Sequence, residues 1–240
     1  MKLFIFADSH YGRSAIKNKN RFPRRSLEKL KSLEKEIKKC DAVVCLGDLT
    51  DDGERIECAR CLSEISEYIN SVSDKAYVLM GNHDCINFSH AQFYSIGGFA
   101  DVAPFTVIDN DSALVFLDAN FLTNKSGYLY SNVDWTDSVV PSEQIEEIRK
   151  VSGIGLKKIF VFVHQCLAPD AEKRHRIKNY GEIHSLLSSL DEKVTVVQGH
   201  YHYGAKAEID GVNYITLKAL CLNDERPYLI LDTDADVSAQ

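Results

Sequence analysis

The chain has 240 residues, 45% of them apolar and 26% charged, which is enough to bury a sizeable core and excludes a disordered class. Lys and Arg number 28 against 35 Asp and Glu, and the formal charge of −7 disfavours a whole-molecule electrostatic grip on nucleic acid or an anionic membrane. The first apolar run, "LFIFA", is too short for a membrane span or a leader h-region, so the expectation is a cytoplasmic protein with no membrane partner.

"KLFIFA" opens the chain as a buried strand. A basic segment follows, from Arg13 through Lys17, Lys19, Arg21 and Arg24 to Lys39. It reads as a flexible loop and the solvated face of a helix striped by Leu27, Leu30, Leu33 and Ile37, with a rim for an anionic substrate as the second option. "AVVCL", a helix striped by Ile56, Leu62, Ile65 and Ile69, and then "AYVLM" complete a βαβαβ rhythm, the mark of a parallel sheet covered by helices. After Pro104, "FTVID" and "ALVFLD" on either side of "NDS" read as an antiparallel hairpin. Ser142, behind Pro141, reads as the N-cap of "SEQIEEIRKV". "KIFVFV" and "VTVVQ" are buried strands flanking a helix near "GEIHSLLSSL", and "GVNYITLKAL" and "PYLILD" close the chain as further strands.

This order places parallel strands first and antiparallel ones later, too many for one doubly wound layer. Two packed sheets with helices outside are therefore expected, and the lack of repeats or Pro/Gly-rich linkers makes residues 1–240 a single domain. The seven cysteines are odd in number and lie in core-like runs, as reduced thiols do. Cys58 and Cys61 have CxxC spacing, but inside a helical pattern and without a second pair, so they read as core.

The function is carried by polar residues just behind the strands. Asp8 and His10 follow the first strand, Asp48 the second, Asn82 and His83 the third, His164 ends "KIFVFV", and His200 and His202 follow "VTVVQG". In α/β sheets ligands gather at the carboxyl ends of parallel strands, so these residues should converge on one crevice. Each alone is dull, since a lone His there is usually a hydrogen-bonded loop residue and an Asp a helix cap. Asp51 and Asp52 are given that capping or loop-bracing role. Carboxylates, imidazoles and a carboxamide without thiolate suit Mn²⁺, Fe or Zn²⁺, with Mg²⁺ less natural but allowed. Even seven of these eight side chains exceed the needs of one ion and divide between two, with Asp48 as the natural bridge. Asp8-x-His10 and His200-x-His202 have the spacing that points both members to one side of an extended segment.

"DSH" (8–10), "GDLTDD" (47–52), "GNHD" (81–84), "VFVH" (161–164) and "GHYH" (199–202) resemble, in order, the blocks of the calcineurin-like metallophosphoesterases. The resemblance implies an α/β fold, a four-layer α/β/β/α sandwich of two mixed sheets flanked by helices. It also implies that Asp8, His10, Asp48 and His202 hold one metal ion and Asp48, Asn82, His164 and His200 the other, with His83 left free. The implied reaction is hydrolysis of a phosphate ester or anhydride by a metal-bridging hydroxide, with His83 protonating the leaving oxygen. If Asn82 and His83 continue the extended run of "AYVLM", one faces a metal and the other the substrate. Two divalent ions with two carboxylates and one hydroxide leave a positive remainder of about one unit to hold a phosphate, which a carboxylate in place of Asn82 would erase. Asp84 is expected to orient His83, with a turn or helix cap as its other reading.

"GDLTDD", "GNHD" and "GHYH", with "PSEQIEEI" after "LDAN" and "YITLKAL" near the end, are similar to the branch holding cyclic-nucleotide phosphodiesterases and nucleoside-diphosphate-X pyrophosphatases. The resemblance thus implies a small phosphorylated partner, with nucleotides among the candidates and nucleic acid disfavoured. Phosphomonoesterase, nuclease and non-catalytic scaffold are the alternatives. Asn120, Tyr128, Tyr130 and Trp135 lie in the one segment, 120–140, able to fold over the site, and read first as anchors of a surface loop, with stacking on a base as the second reading. Arg174, His175 and Arg176 read first as solvated loop and second as contacts to a substrate phosphate, and His90 and His184 as structural.

Overall fold

The computed structural model describes residues 1–14, 17, 20–101, 103–223 and 226–235; Lys19 of the basic segment lies outside the described residues. The first sheet runs β10-β1-β2-β3, with β1 (Lys2–Phe6), β2 (Ala42–Cys45) and β3 (Ala76–Val78) parallel and β10 (Tyr228–Asp232) antiparallel on the edge. The second contains β4 (Phe105–Asp109), β5 (Ser112–Phe116), β6 (Lys158–Val163), β7 (Lys193–Gln198), β8 (Tyr203–Ile209) and β9 (Val212–Lys218), in the order β4-β5-β6-β7-β9-β8.

Side-chain alternation builds the layers. In β1, Leu3 and Ile5 face the second sheet, whereas Phe4 and Phe6 face the helices. In β6, Phe160 and Phe162 point into the same inter-sheet core, whereas Ile159, Val161 and Val163 face outward. The outer face of the first sheet packs under α1 (Ser26–Ser32), α2 (Glu34–Ile37), α3 (Arg55–Val72) and α5 (His90–Gly97); α4 (Asn82–Asn87) sits behind β3. The outer face of the second packs under α6 (Ser142–Val151) and α7 (Tyr180–Ser188). This is the expected four-layer α/β/β/α sandwich. Among the described residues no helix is long and apolar enough to cross a membrane.

Four details differ from the sequence expectation. The later strands are not mainly antiparallel: β5, β6, β7 and β9 run parallel, and the edge strands β4, β8 and β10 oppose their neighbours. The strand β8, "YGAKAEI", was not anticipated, because an edge strand with exposed faces carries little apolar signal. Glu54, not Asp51 or Asp52, caps α3, accepting from the backbone N–H groups of Ile56 and Glu57. Pro141, not Ser142, is the cap residue of α6. The seven cysteines are free, and Cys58 and Cys61 are buried in the helix-facing core.

Candidate metal centre

The nominated side chains stand at the carboxyl ends of β1, β2, β3, β6 and β7, where the two sheets present their parallel strands to one cleft. The segments bearing them are not extended, however. Asp8, His10, Asp48 and His200 have φ of 55°, 42°, 50° and 66°, the left-handed region that non-glycine residues seldom occupy outside functional sites. Left-handed turns, rather than strand period, bring these side chains together. Gly47 (φ +108°) and Gly81 leave the space: a Cβ on Gly81 would collide with the Asp48 carboxylate, and one on Gly47 would lie 2.7 Å from His164 Nδ1.

The donor atoms face one another without donors between them. His164 Nδ1 donates to the Leu46 carbonyl at 2.9 Å, so Nε2 is the free face, 3.1 Å from Asn82 Oδ1 and 3.4 Å from Asp48 Oδ2. His10 Nε2 lies 3.1 Å from His202 Nε2, 3.4 Å from Asp48 Oδ2 and 3.9 Å from Asp8 Oδ1, while His202 Nε2 is 3.5 Å from Asp8 Oδ1. His200 Nε2 is buried with no hydrogen-bond partner among the described residues. Lone pairs packed this way repel unless a cation sits among them, and these ligand types suit divalent ions. Asp48, His164 and His200 form one such cluster, and His10 with Asp48 and His83 another.

The electrostatics agree. Burial, only partly offset by Asp48, holds His10 down at about 4, and burial holds His200 well below the ordinary imidazole value, so both are neutral as ligands must be. Burial opposes charge on His164 too, but the carboxylates of Asp48 and Asp8 push it up to about 9, a proton standing where a cation would. The residues present therefore fit a pair of divalent ions.

Asn82 and His83 begin α4 instead of extending β3. The His83 backbone N–H donates to Asp48 Oδ1 at 2.8 Å, and its Nδ1 lies 3.0 Å from Asp52 Oδ1. Burial disfavours its charge, but Asp48, Asp51 and Asp52 push its pKa up to about 10. Divalent ions at the neighbouring ligands would pull that value back down.

Asp84 does not orient His83. Its buried carboxylate accepts from the backbone N–H groups of Leu49 (3.1 Å), Thr50 (2.9 Å) and Gly81 (3.0 Å) and from the Thr50 hydroxyl (2.9 Å), bracing two ligand loops against each other. Helix onset at Asn82 turns it inward. Asp84→Ala strands four buried donors, three of them backbone N–H groups, and is expected to destabilise the protein by about 3 kcal/mol or more. Urea unfolding measures this, and an unchanged midpoint contradicts the bracing role.

The surroundings bring in residues for which sequence reading placed a site role second. Asp51 is buried, its Oδ1 3.5 Å from His10 Nδ1 and 3.3 Å from Arg21 Nη2, and Lys17 Nζ bridges Asp51 (3.2 Å) and Asp52 (2.7 Å). The basic segment thus reaches the cleft, the option placed second, with Lys17 and Arg21 paired to Asp51 and Asp52. Trp135, Arg174 and His175 line the other side of a cleft of about 610 Å³. Tyr128 is core, and Tyr130 pairs with Arg55 and Gln92. Asn120 donates to the Met80 carbonyl behind the site. His90 pairs with Asp101, and His184 with Tyr214 and Asp210.

A family model for calcineurin-like phosphoesterases matches residues 1–204. The chain belongs to that family. Solved structures share the fold at low identity. A dimetal phosphatase from Danio rerio aligns with TM-score 0.77 and 19% identity over 93% of this chain and 88% of its own. TT1561 of Thermus thermophilus gives TM-score 0.56 and 9% identity over 92% and 90%. Purple acid phosphatase PPD1 of yellow lupin gives 0.59 and 12% over 99% and 46%. No curated protein matches the chain. As a calcineurin-like phosphoesterase it is a metal-dependent phosphoric ester hydrolase.

Proposed function

We propose that this phosphoesterase hydrolyses a phosphodiester or a nucleotide pyrophosphate. Asp8, His10, Asp48 and His202 would hold one divalent ion, and Asp48, Asn82, His164 and His200 the second. Once bound, the pair supplies positive charge for the phosphoryl oxygens and activates water. The observation carrying the substrate class is the two-sided cleft, with Lys17 and Arg21 on one flank and Arg174 on the other, so a phosphorus substituted on both sides finds a wall for each group.

His83 lines the same cleft. With Nδ1 held by Asp52 at 3.0 Å, its Nε2 carries the proton for the leaving oxygen. The neutral carboxamide of Asn82 adds no negative charge where phosphate charge builds up. Asp51 Oδ1 lies 3.5 Å and Arg21 Nη1 3.3 Å from His10 Nδ1, flanking the imidazole on the side away from the ligand cluster.

Turnover after Mn²⁺ reconstitution, with chelated controls, tests this on a nitrophenyl phosphate monoester, a nitrophenyl diester, cyclic AMP, ADP-ribose and a short oligonucleotide. A diester or ADP-ribose should be cleaved fastest, and chelation should abolish it. Preference for the monoester overturns the substrate class, and preference for the oligonucleotide makes the enzyme a nuclease instead of a hydrolase of small diesters.

A further inference from the structure

The chain has one tryptophan, Trp135, on the long segment between β5 and α6. Such a residue is ordinarily buried or used as a loop anchor. Here the anchoring is done by others. The Tyr128 hydroxyl donates to the Asp134 carbonyl at 2.7 Å and the Asp137 carbonyl at 3.0 Å, and Asp134 Oδ1 accepts from the Thr136 N–H at 3.0 Å and its hydroxyl at 2.7 Å. Trp135 is thereby fixed between two tethered neighbours while its indole remains half-buried in the cleft wall.

Its neighbours are informative. The Arg174 guanidinium carbon stands 4.5 Å above the indole centroid, a cation–π arrangement that holds a long, exposed side chain in place. The indole centroid is 5.7 Å from the His200 ring and 5.2 Å from His175. A flat, cationic, aromatic surface is therefore held one ring away from a residue of the metal cluster. A phosphate at the cluster would place a ring joined to it by a sugar over this surface.

We infer that Trp135 and Arg174 form a stacking platform for the base of a nucleoside phosphate whose phosphorus lies at the metal cluster. The inference rests on the phosphoester-hydrolase reading of the same site and adds the group that the enzyme selects. Stacking on indole and guanidinium planes recognises any base by its face, so the platform favours nucleotides over alkyl or sugar phosphates without choosing among bases. It also explains why two loops distant in sequence, 120–140 and 168–179, meet above the site.

The lone tryptophan makes the test direct. Mn²⁺-loaded protein is titrated with α,β-methylene-ADP and, separately, with methylenediphosphonate, following tryptophan fluorescence and calorimetric affinity. The nucleoside analogue should change the emission and bind more tightly, and the base-free one should leave the emission unchanged. Trp135→Leu should weaken the nucleoside analogue about ten-fold, within the range for base–aromatic stacking, and leave the base-free one unaffected. Trp135→Phe should restore most of that difference. Equal emission changes for both analogues, or equal weakening of both by Trp135→Leu, overturns the platform. These are binding measurements, so a protein that turns over no phosphoester but stacks the base refutes the hydrolase reading alone. One that hydrolyses phosphoesters without preferring the base refutes the platform alone.

Discussion

Replacing Asp48 by alanine is expected to remove both metal binding and turnover. One carboxylate oxygen lies 3.4 Å from both His10 Nε2 and His164 Nε2, and the other accepts the His83 backbone N–H at 2.8 Å. The residue thus touches both halves of the cluster and the residue proposed as acid. Changes to groups that merely orient metal ligands cost about 10–100-fold in affinity or activity, and the shared ligand should cost more than about 100-fold. Elemental analysis after desalting should show less than the wild-type pair. The backbone at Asp48 has φ 50°, so Asp48→Asn, which tolerates that conformation, separates loss of charge from loss of shape. An Asp48→Ala protein that retains two ions and near-normal turnover contradicts the bridging assignment.

His83→Ala should behave differently, keeping both ions while turnover falls by about 10²–10⁴-fold, the usual contribution of a positioned acid. Its imidazole lines the cleft but is oriented by Asp52 at 3.0 Å, so losing it strips no ligand from the proposed metal subsites. The loss should be smaller for substrates with good leaving groups, such as nitrophenyl esters, which need little protonation, and larger for ADP-ribose. Asp52→Asn should fall in between and show the same leaving-group dependence, because it disturbs the orientation and charge of the imidazole and otherwise loosens only the pairing with Lys17. Unchanged turnover in His83→Ala across both leaving groups removes the acid role.

The fold and the ligand cluster were legible for the same reason. Five of the buried runs end abruptly in residues of metal-ligand type, and parallel strands deliver their carboxyl ends to one side, so "LFIFADSH" and "VVCLGD" state both the strand and the end where such residues gather. The identity of the His83 partner was not legible. It depends on whether the chain turns helical at Asn82, and a one-residue change of backbone state moves Asp84 from beside the imidazole to beneath the loops. Asp52, set aside as a brace, became the partner because α3 starts later, at a Glu54 cap. Arg21 and Trp135 had a site role only as a second reading, for another reason. They reach the cleft from irregular segments whose paths follow from tertiary packing and carry no periodic signal. The parallel run β5-β6-β7-β9 was misjudged because buried strands look alike in either direction; only the length of the connections distinguishes them.

The most direct test of a paired-ion hydrolase is a Mn²⁺ titration of chelator-stripped protein, with bound metal and turnover of a nitrophenyl phosphodiester measured on the same samples. Turnover should stay near background through the first equivalent and rise to a plateau as the second binds. Full activity with one equivalent, or activity that persists in the stripped protein, would contradict it.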